Sequence, residues 1–397
     1  MFIRSLDRTC RAFSAQFIPG TRERAGDPRI IATRYRGIEC LLIADDLTGA
    51  CDASVCFAMR GHRTTVSLAD NAGFDGASVV AISTESRNVD SAAAGSLISE
   101  VAARLPAISP WILFKKIDST LRGHAGVEIA GALDAFDCDA AVVCPAFPAM
   151  GRIVSAGHLR VTGDASFSTV DVTAYLREQG IEQCAHARCE EAGGGISSGA
   201  RVLVLDAICD EDLDRIAAAG LATGLRILWA GSAGLAAALA RTLCPGTQSH
   251  LRPVATGPLL FCLGSNHPVT VAQEMALLSR MQVPIVHAEQ TTRNAIDNEL
   301  RQGLHVVLRI PRGIAEEQLK ALLPHERISA VALSGGDTAS LFCRAAGVEH
   351  IDLMDEILPG IPYGAIRGGA FDGVSIVTKS GGFGASDALI QVAEYFS

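Results

Sequence analysis

The chain of 397 residues is 49% hydrophobic, with 39 glycines, only 5% aromatics and a formal charge of −9. That composition excludes a disordered or fibrous chain and fits an α/β enzyme of about two to three domains. The acidic balance excludes a nucleic-acid binder, and no apolar run approaches the roughly 18–20 residues that cross a bilayer.

Residues 1–36 hold eight arginines against three acidic residues, net +5, which leaves the remainder at −14. They lack the apolar stretch of a signal peptide, so residues 1–37 are expected to be a disordered Arg-rich extension without function. From residue 38 the pattern alternates. Apolar runs predict strands at 38–44, 63–69, 77–83, 111–117, 140–147, 201–207 and 225–230. Between them, helical periods fall at 47–60, 90–104, 124–136, 172–179, 210–219 and 234–243. Gly61 closes the first helix at its C′ position, and residues 148–170 show no period. Residues 244–258 carry three prolines and two glycines. A linker is therefore placed at 246–258, between a first domain, 38–245, and a second, 259–397. The second domain repeats the alternation, with strands at 259–265, 284–288, 305–310, 330–336 and 374–380. Its helices lie near 268–280, 314–323, 337–346 and 385–396. The expected fold class is α/β: two domains, each a largely parallel sheet flanked by helices.

The twelve cysteines form no CxxC pair, and Cys40, Cys144 and Cys262 lie inside apolar runs. This is the pattern of buried reduced thiols in a cytoplasmic protein. His124, His158 and His267 are isolated, so a zinc site is not expected.

The polar residues concentrate at strand ends. KKIDSTLRG (115–123) follows the apolar WILF and crowds lysines, a carboxylate, hydroxyls and an arginine into one segment. Unpaired, such groups cannot be buried, so the segment is either a solvated loop or a site for an anion. Lysine usage favours the site. Only four of the 34 basic residues are lysines, and Lys115, Lys116 and Lys379 sit in polar-glycine motifs. Lys115 and Lys116 alternate on the strand, so only one faces a given side. IADDLTGACD (43–52) ends a strand in two aspartates just before a helix. Asp46 or Thr48 suits the N-cap, which leaves the other carboxylate to meet a substrate hydroxyl. STESR (83–87) offers Arg87 as a planar fork for a carboxylate, or a plain turn. CPAFPAMGR (144–152) reads equally as a rigid connection. In the second domain LGSN (263–266), LSGGDTAS (333–340) and VTKSGGFGASD (377–387) each place glycine between a strand and a helix. Three such loops favour a polyphosphate ligand, although none has the spacing of a P-loop or a dinucleotide fingerprint.

Taken together and in this order, these motifs resemble the four-carbon acid sugar kinase family across most of residues 40–390. The resemblance implies an N-terminal acid-binding domain and a C-terminal ATP-binding domain, with ATP and Mg²⁺ as cofactors. It implies acid contacts at Asp45, Arg87, Lys116, Asp118 and Ser119, and nucleotide contacts at Ser265, Gly335, Gly336, Asp337, Thr338 and Gly382. The motifs themselves add Arg122 on the acid's side and Lys379 and Gly381 on the nucleotide's, with Asp45, Asp46 and Asp118 as catalytic candidates. His124 departs from the asparagine common in the family, which bears on substrate choice. The expected partners are a small sugar acid and ATP, with no nucleic acid or membrane; a homodimer and the metal ligands stay open. Two other readings remain. One is an aspartyl phosphohydrolase, whose DxDxT motif is broken by Ala44; the other is a sensor without turnover.

Overall fold

The structure, a computed structural model, describes residues 38–68, 74, 76–105, 110–162, 167–197, 199–244 and 257–396. The Arg-rich extension and linker residues 246–256 lie outside this set.

Short aliphatic runs form strands β1 (Cys40–Ala44), β2 (Thr64–Ser67), β3 (Val79–Ser83), β4 (Ile112–Lys116) and β5 (Ala140–Cys144). After them come β6 (Arg152–Ser155), β7 (His158–Val161), β8 (Val170–Asp171), β9 (Cys184–Ala187), β10 (Val202–Leu205) and β11 (Ile227–Gly231). Helices α1 (Leu47–Ala58), α2 (Ser91–Arg104), α3 (Ala125–Ala135), α4 (Val172–Glu178), α5 (Ala192–Ser197), α6 (Asp210–Leu221) and α7 (Ala233–Leu243) connect them. The second half contains β12 (Leu259–Leu263), β13 (Ile285–His287), β14 (Val306–Arg309), β15 (Ala330–Ser334), β16 (His350–Leu358), β17 (Ile361–Arg367) and β18 (Ser375–Lys379). Its helices are α8 (Pro268–Arg280), α9 (Arg293–Arg301), α10 (Glu316–Leu322), α11 (Gly336–Ala346) and α12 (Ala388–Tyr395).

The first half builds a parallel array in the order β2-β3-β1-β4-β11-β5-β10-β9. The second builds β13-β14-β12-β15-β18, also parallel. The central strands β1, β5, β10, β12 and β15 are buried along their whole length and largely aliphatic, which is why they were readable as short apolar runs. The sequence reading had no counterpart for β9, α5 or α9, and two larger features were not anticipated either. Residues 350–367 form an antiparallel hairpin, β16–β17, turned at Pro359-Gly360, where Gly360 takes φ +75°. Its outer strand, β16, then pairs antiparallel with β2, so the two half-sheets fuse into one sheet of fifteen strands. The stretch 148–170, without a period in sequence, holds the small antiparallel sheet β6-β7-β8.

Helix α1 sits at the junction. It packs on β1, β2 and β3 of its own half and on β16, β17, β18 and α11 of the other. Ten of its twelve residues are buried, including Thr48, Asp52 and Ser54. Asp46 caps it, its carboxylate accepting the Gly49 N–H at 2.8 Å, a contribution of about 1 kcal/mol. No helix among the described residues is long and apolar enough to cross a membrane. The described cysteines are all free thiols.

Candidate active site

Register brings three distant motifs to one edge. Ala44 at the end of β1 lies beside Ser83 of β3 and Lys116 of β4. The residues that follow these strands therefore emerge side by side, as happens at ligand-binding edges of parallel sheets. Arg87 stands on a 3-10 turn, Ser86–Asn88, after β3. Its guanidinium spans both aspartates after β1. Nε and Nη2 donate to Asp45 at 2.8 Å each, and Nη1 and Nη2 donate to Asp46 at 2.6 and 2.9 Å. Nη2 also lies 3.8 Å from Asp118. The fork expected for a substrate carboxylate is thus directed at the chain's own acids. Two non-glycine residues with left-handed backbones, Glu85 (φ +51°) and Leu121 (φ +61°), shape the flanking turns. Strain of this kind persists only where its surroundings impose it.

The polar segment 115–123 is buried and paired rather than solvated. Lys115 faces α3 and meets Glu128 at 3.2 Å, both fully enclosed, and Ser86 donates to the same carboxylate. Removing one partner of such a pair strands a buried charge, at roughly 3–5 kcal/mol. Lys116 faces the opposite side, towards the start of α1: a Cβ on Gly49 would lie 3.3 Å from its Nζ. That ammonium donates to the Ile117 carbonyl at 2.8 Å. Asp118 is engaged by its own turn. Its Oδ2 accepts from the Thr120 and Arg122 amides, the Thr120 hydroxyl and Arg122 Nε, and Oδ1 accepts from Arg122 Nη2 at 2.7 Å. Ser119 is buried beside it, and Arg122 remains largely exposed. His124 precedes α3 and donates from Nε2 to the Val89 carbonyl at 2.6 Å, a tie between two site loops.

Electrostatics separates the carboxylates. Burial alone would raise Asp45, but the Arg87 guanidinium, with Lys115 and Lys116 behind it, outweighs burial and holds it below the usual carboxylate range. Burial also opposes ionisation of Asp118, and there Arg122, Arg87 and the Thr120 hydroxyl prevail and hold it low. Asp52, two turns into α1, behaves oppositely. Burial pushes it up to about 6 against the pull of Lys116, and its Oδ1 has no hydrogen-bond partner.

The second half presents its three glycine loops the same way. Leu263 of β12 and Lys379 of β18 flank Ser334 of β15 through Leu263↔Ser334 and Ser334↔Lys379 pairing. Ser265 sits between the loops: a Cβ on Gly335 would lie 3.4 Å from Ser265 Cβ, and one on Gly381 would collide with Ser265 Oγ. A Cβ on Gly382 would lie 3.2 Å from the His267 ring. Gly335 adopts φ +106° to turn the chain into α11, and Thr338 packs against Gly264 and Gly335. Lys379, expected beside the phosphates, instead points into the domain.

These two edges meet. Thr48 Oγ1 is 3.2 Å from Ser380 Oγ, and Asn88 Nδ2 donates to Asp337 at 3.1 Å. A Cβ on Gly336 would lie 2.6 Å from Asp46 Oδ2. Arg152 stacks 5.4 Å over the Phe383 ring, and Phe147 meets the same ring edge-on at 6.2 Å, so CPAFPAMGR is an interdomain contact. Sequence reasoning passed over Asn88, Glu128, Asp52, Thr270 and Gln273. The first three lie within or beside the motifs, and polar residues at those positions were the available signal.

A model described as a sugar-binding N-terminal domain matches residues 40–239, and one described as a nucleotide-binding C-terminal domain matches residues 270–389. The chain is 35% identical to a D-threonate kinase of Bordetella bronchiseptica, across 89% of this chain and 96% of that protein. It is 28% identical to a D-erythronate kinase of Heliobacterium modesticaldum, across 89% and 96%. It is 27% identical to a 3-oxo-tetronate kinase of Cupriavidus necator, across 87% and 94%. A solved Salmonella typhimurium structure shares the fold with a TM-score of 0.74 at 20% identity, across 91% of this chain and 100% of that one.

Proposed function

Because the chain belongs to the four-carbon acid sugar kinase family, we propose that it transfers the γ-phosphoryl group of ATP to a hydroxyl of a four-carbon sugar acid, D-threonate first among the candidates. The observation that carries this reading is the meeting of the two strand edges. Asp45, Asp46 and Arg87 emerge from one half, the glycine loops around Ser265, Gly335 and Gly381 from the other, and Thr48 and Ser380 stand 3.2 Å apart between them.

Phosphoryl transfer asks a protein for position and charge more than for covalent chemistry. Asp45, fixed by Arg87 and kept ionised, accepts a hydrogen bond from the attacking hydroxyl and aims its oxygen across the gap. A carboxylate this weakly basic orients the hydroxyl, and takes the proton only as the bond to phosphorus forms. Arg87 keeps two adjacent carboxylates together in one geometry. An ammonium has three N–H donors and Lys116 Nζ uses one on a carbonyl, so Lys116 keeps donors for the acid's carboxylate. Asp118 positions Arg122 at the rim.

On the other side, the free amides at the start of α11 and the glycine loops receive the phosphates. Mg²⁺ bound with them would supply charge neutralisation on the transferring group. Such a metal takes most of its ligands from phosphate and water and one or two from carboxylates. The donor set fits: Asp337 is exposed at the first turn of α11 beside Gly335 and Gly336.

A coupled ADP-release assay over D-threonate, D-erythronate and 3-oxo-tetronate tests the reading. ADP should form only when one of the acids is present. Absence of acid-dependent ADP release from the folded protein would refute it.

A further inference from the structure

The loop that follows β18 has its carbonyl oxygens turned inward. Lys379 Nζ donates to the Ser380, Gly381 and Phe383 carbonyls at 2.9, 3.3 and 3.2 Å and lies 3.3 Å from Thr270 Oγ1. Thr270 Oγ1 donates to the Gly381 carbonyl at 2.7 Å. Gln273 Nε2 lies 2.9, 3.0 and 2.8 Å from the Phe383, Gly384 and Ala385 carbonyls. All three side chains are buried, Thr270 and Gln273 completely, and both stand on the first turns of α8.

Two facts distinguish this arrangement from ordinary packing. The first is what it leaves unsatisfied. Gln273 Oε1 is buried without a hydrogen-bond partner, a cost of about 1–3 kcal/mol. The site also buries an ammonium that makes no ion pair with a carboxylate among the described residues, and burial pushes that ammonium down to about 7. Both penalties are tolerated where donors meet a run of carbonyls. The second is peptide geometry. In a planar trans peptide, the carbonyl of one residue and the N–H of the next point in opposite directions. With the carbonyls of Ser380, Gly381, Phe383 and Gly384 facing α8, the amides of Gly381, Gly382, Gly384 and Ala385 face away from it. Gly381 and Gly382 are half-exposed there, beside Ser265 and His267. Successive amides presented in this way form an anion-binding concavity.

We propose that Thr270, Gln273 and Lys379 form a buried frame that aims the amides of Gly381, Gly382, Gly384 and Ala385 at the nucleotide's phosphates, and that Lys379 acts as a positioning residue without touching phosphate itself. The proposal rests on the kinase reading for the identity of the anion. It differs in assigning the loop's polarity to Gln273 and Thr270, which lie on the far side of the loop from its outward amides.

The test is calorimetric binding of ATP and of adenosine to wild-type protein and to the Gln273→Met, Thr270→Val and Lys379→Met variants, alongside acid-dependent turnover. Gln273→Met should weaken ATP about tenfold or more, and Thr270→Val several-fold, with adenosine affinity unchanged. Thr270→Val is nearly isosteric, so it carries the test if Gln273→Met does not fold. ATP affinity unchanged in both, with loss confined to Lys379→Met, would mean that Lys379 contacts phosphate directly and would overturn the frame. Equal losses for ATP and adenosine would overturn it as well, since the defect would then not be one of phosphate binding. Wild-type protein that binds ATP but phosphorylates no acid would instead refute the kinase reading and leave the frame to be judged on binding.

Discussion

Asp45 and Asp46 are adjacent in sequence and share one arginine, yet only Asp46 holds a helix end. Asparagine still caps a helix, so Asp46→Asn should retain most of the stability and part of the activity. Asparagine accepts no proton and carries no charge, so Asp45→Asn should lose about 10²-fold or more in kcat with folding intact. Small, equal effects measured by steady-state kinetics would reduce the pair to a structural cap. Asp45 is held low by Arg87, so its protonation should not limit turnover until the pH falls below the ordinary carboxylate range. That Asp46 could cap the helix and leave Asp45 over was legible in the sequence, because a second carboxylate exceeds what capping needs. The direction of Arg87 was not. A fork after a strand suits a bound carboxylate and a neighbouring aspartate equally, and the register of β1 against β3 decides between them. The direction of Lys379 was hidden for a similar reason: alternation along β18 gives two sides, but only the packing of α8 shows which side holds the carbonyls.

At the scale of elements, α1 and the β16–β17 hairpin carry the junction between the halves. Asp52 on α1 acts on Glu356 on β16 across it. Burial raises Asp52 to about 6, with Lys116 and Arg152 pulling it down and Asp46 pushing it up. Burial raises Glu356 to about 7, opposed by the Gly360 amide and reinforced by Asp52 and Asp355. The sign follows from proton counting. Between about pH 4, where the unfolded chain ionises Asp52, and about pH 6, where the folded chain does, the folded state binds more protons, so stability falls as pH rises. Asp52→Asn removes that dependence. Its unfolding free energy, measured by urea titration, should exceed the wild type's by a margin that grows from pH 4 to pH 6 and then stays level, on the order of 2–3 kcal/mol before any loss from the new amide. A margin independent of pH would show that Asp52 is already ionised in the fold. The hairpin itself escaped the sequence reading. Its alternation is broken by register shifts at Leu353/Asp355 and Glu356/Leu358, and its partner β2 lies almost 300 residues earlier, beyond any local pattern. Pro359-Gly360 was the one local sign, a turn dipeptide between two apolar runs.

For the molecule as a whole, the sheet is continuous while the chemistry is divided. The alternation of strands and helices was readable because parallel strands must be aliphatic on both faces. The fusion of the half-sheets was not, since it depends on an antiparallel pair formed at long range. The consequence is a geometry in which the two halves present their strand ends to a common gap, bridged by Thr48–Ser380, Asn88–Asp337 and the Arg152–Phe383 stack. The most direct test of transfer across that gap follows the phosphorus. ATP labelled in the γ position should be incubated with D-threonate, D-erythronate or 3-oxo-tetronate and the wild-type protein. The account predicts that the label appears on the organic acid, and that Asp45→Asn suppresses it. Label recovered only as inorganic phosphate, or remaining wholly in ATP with every acid, would contradict it.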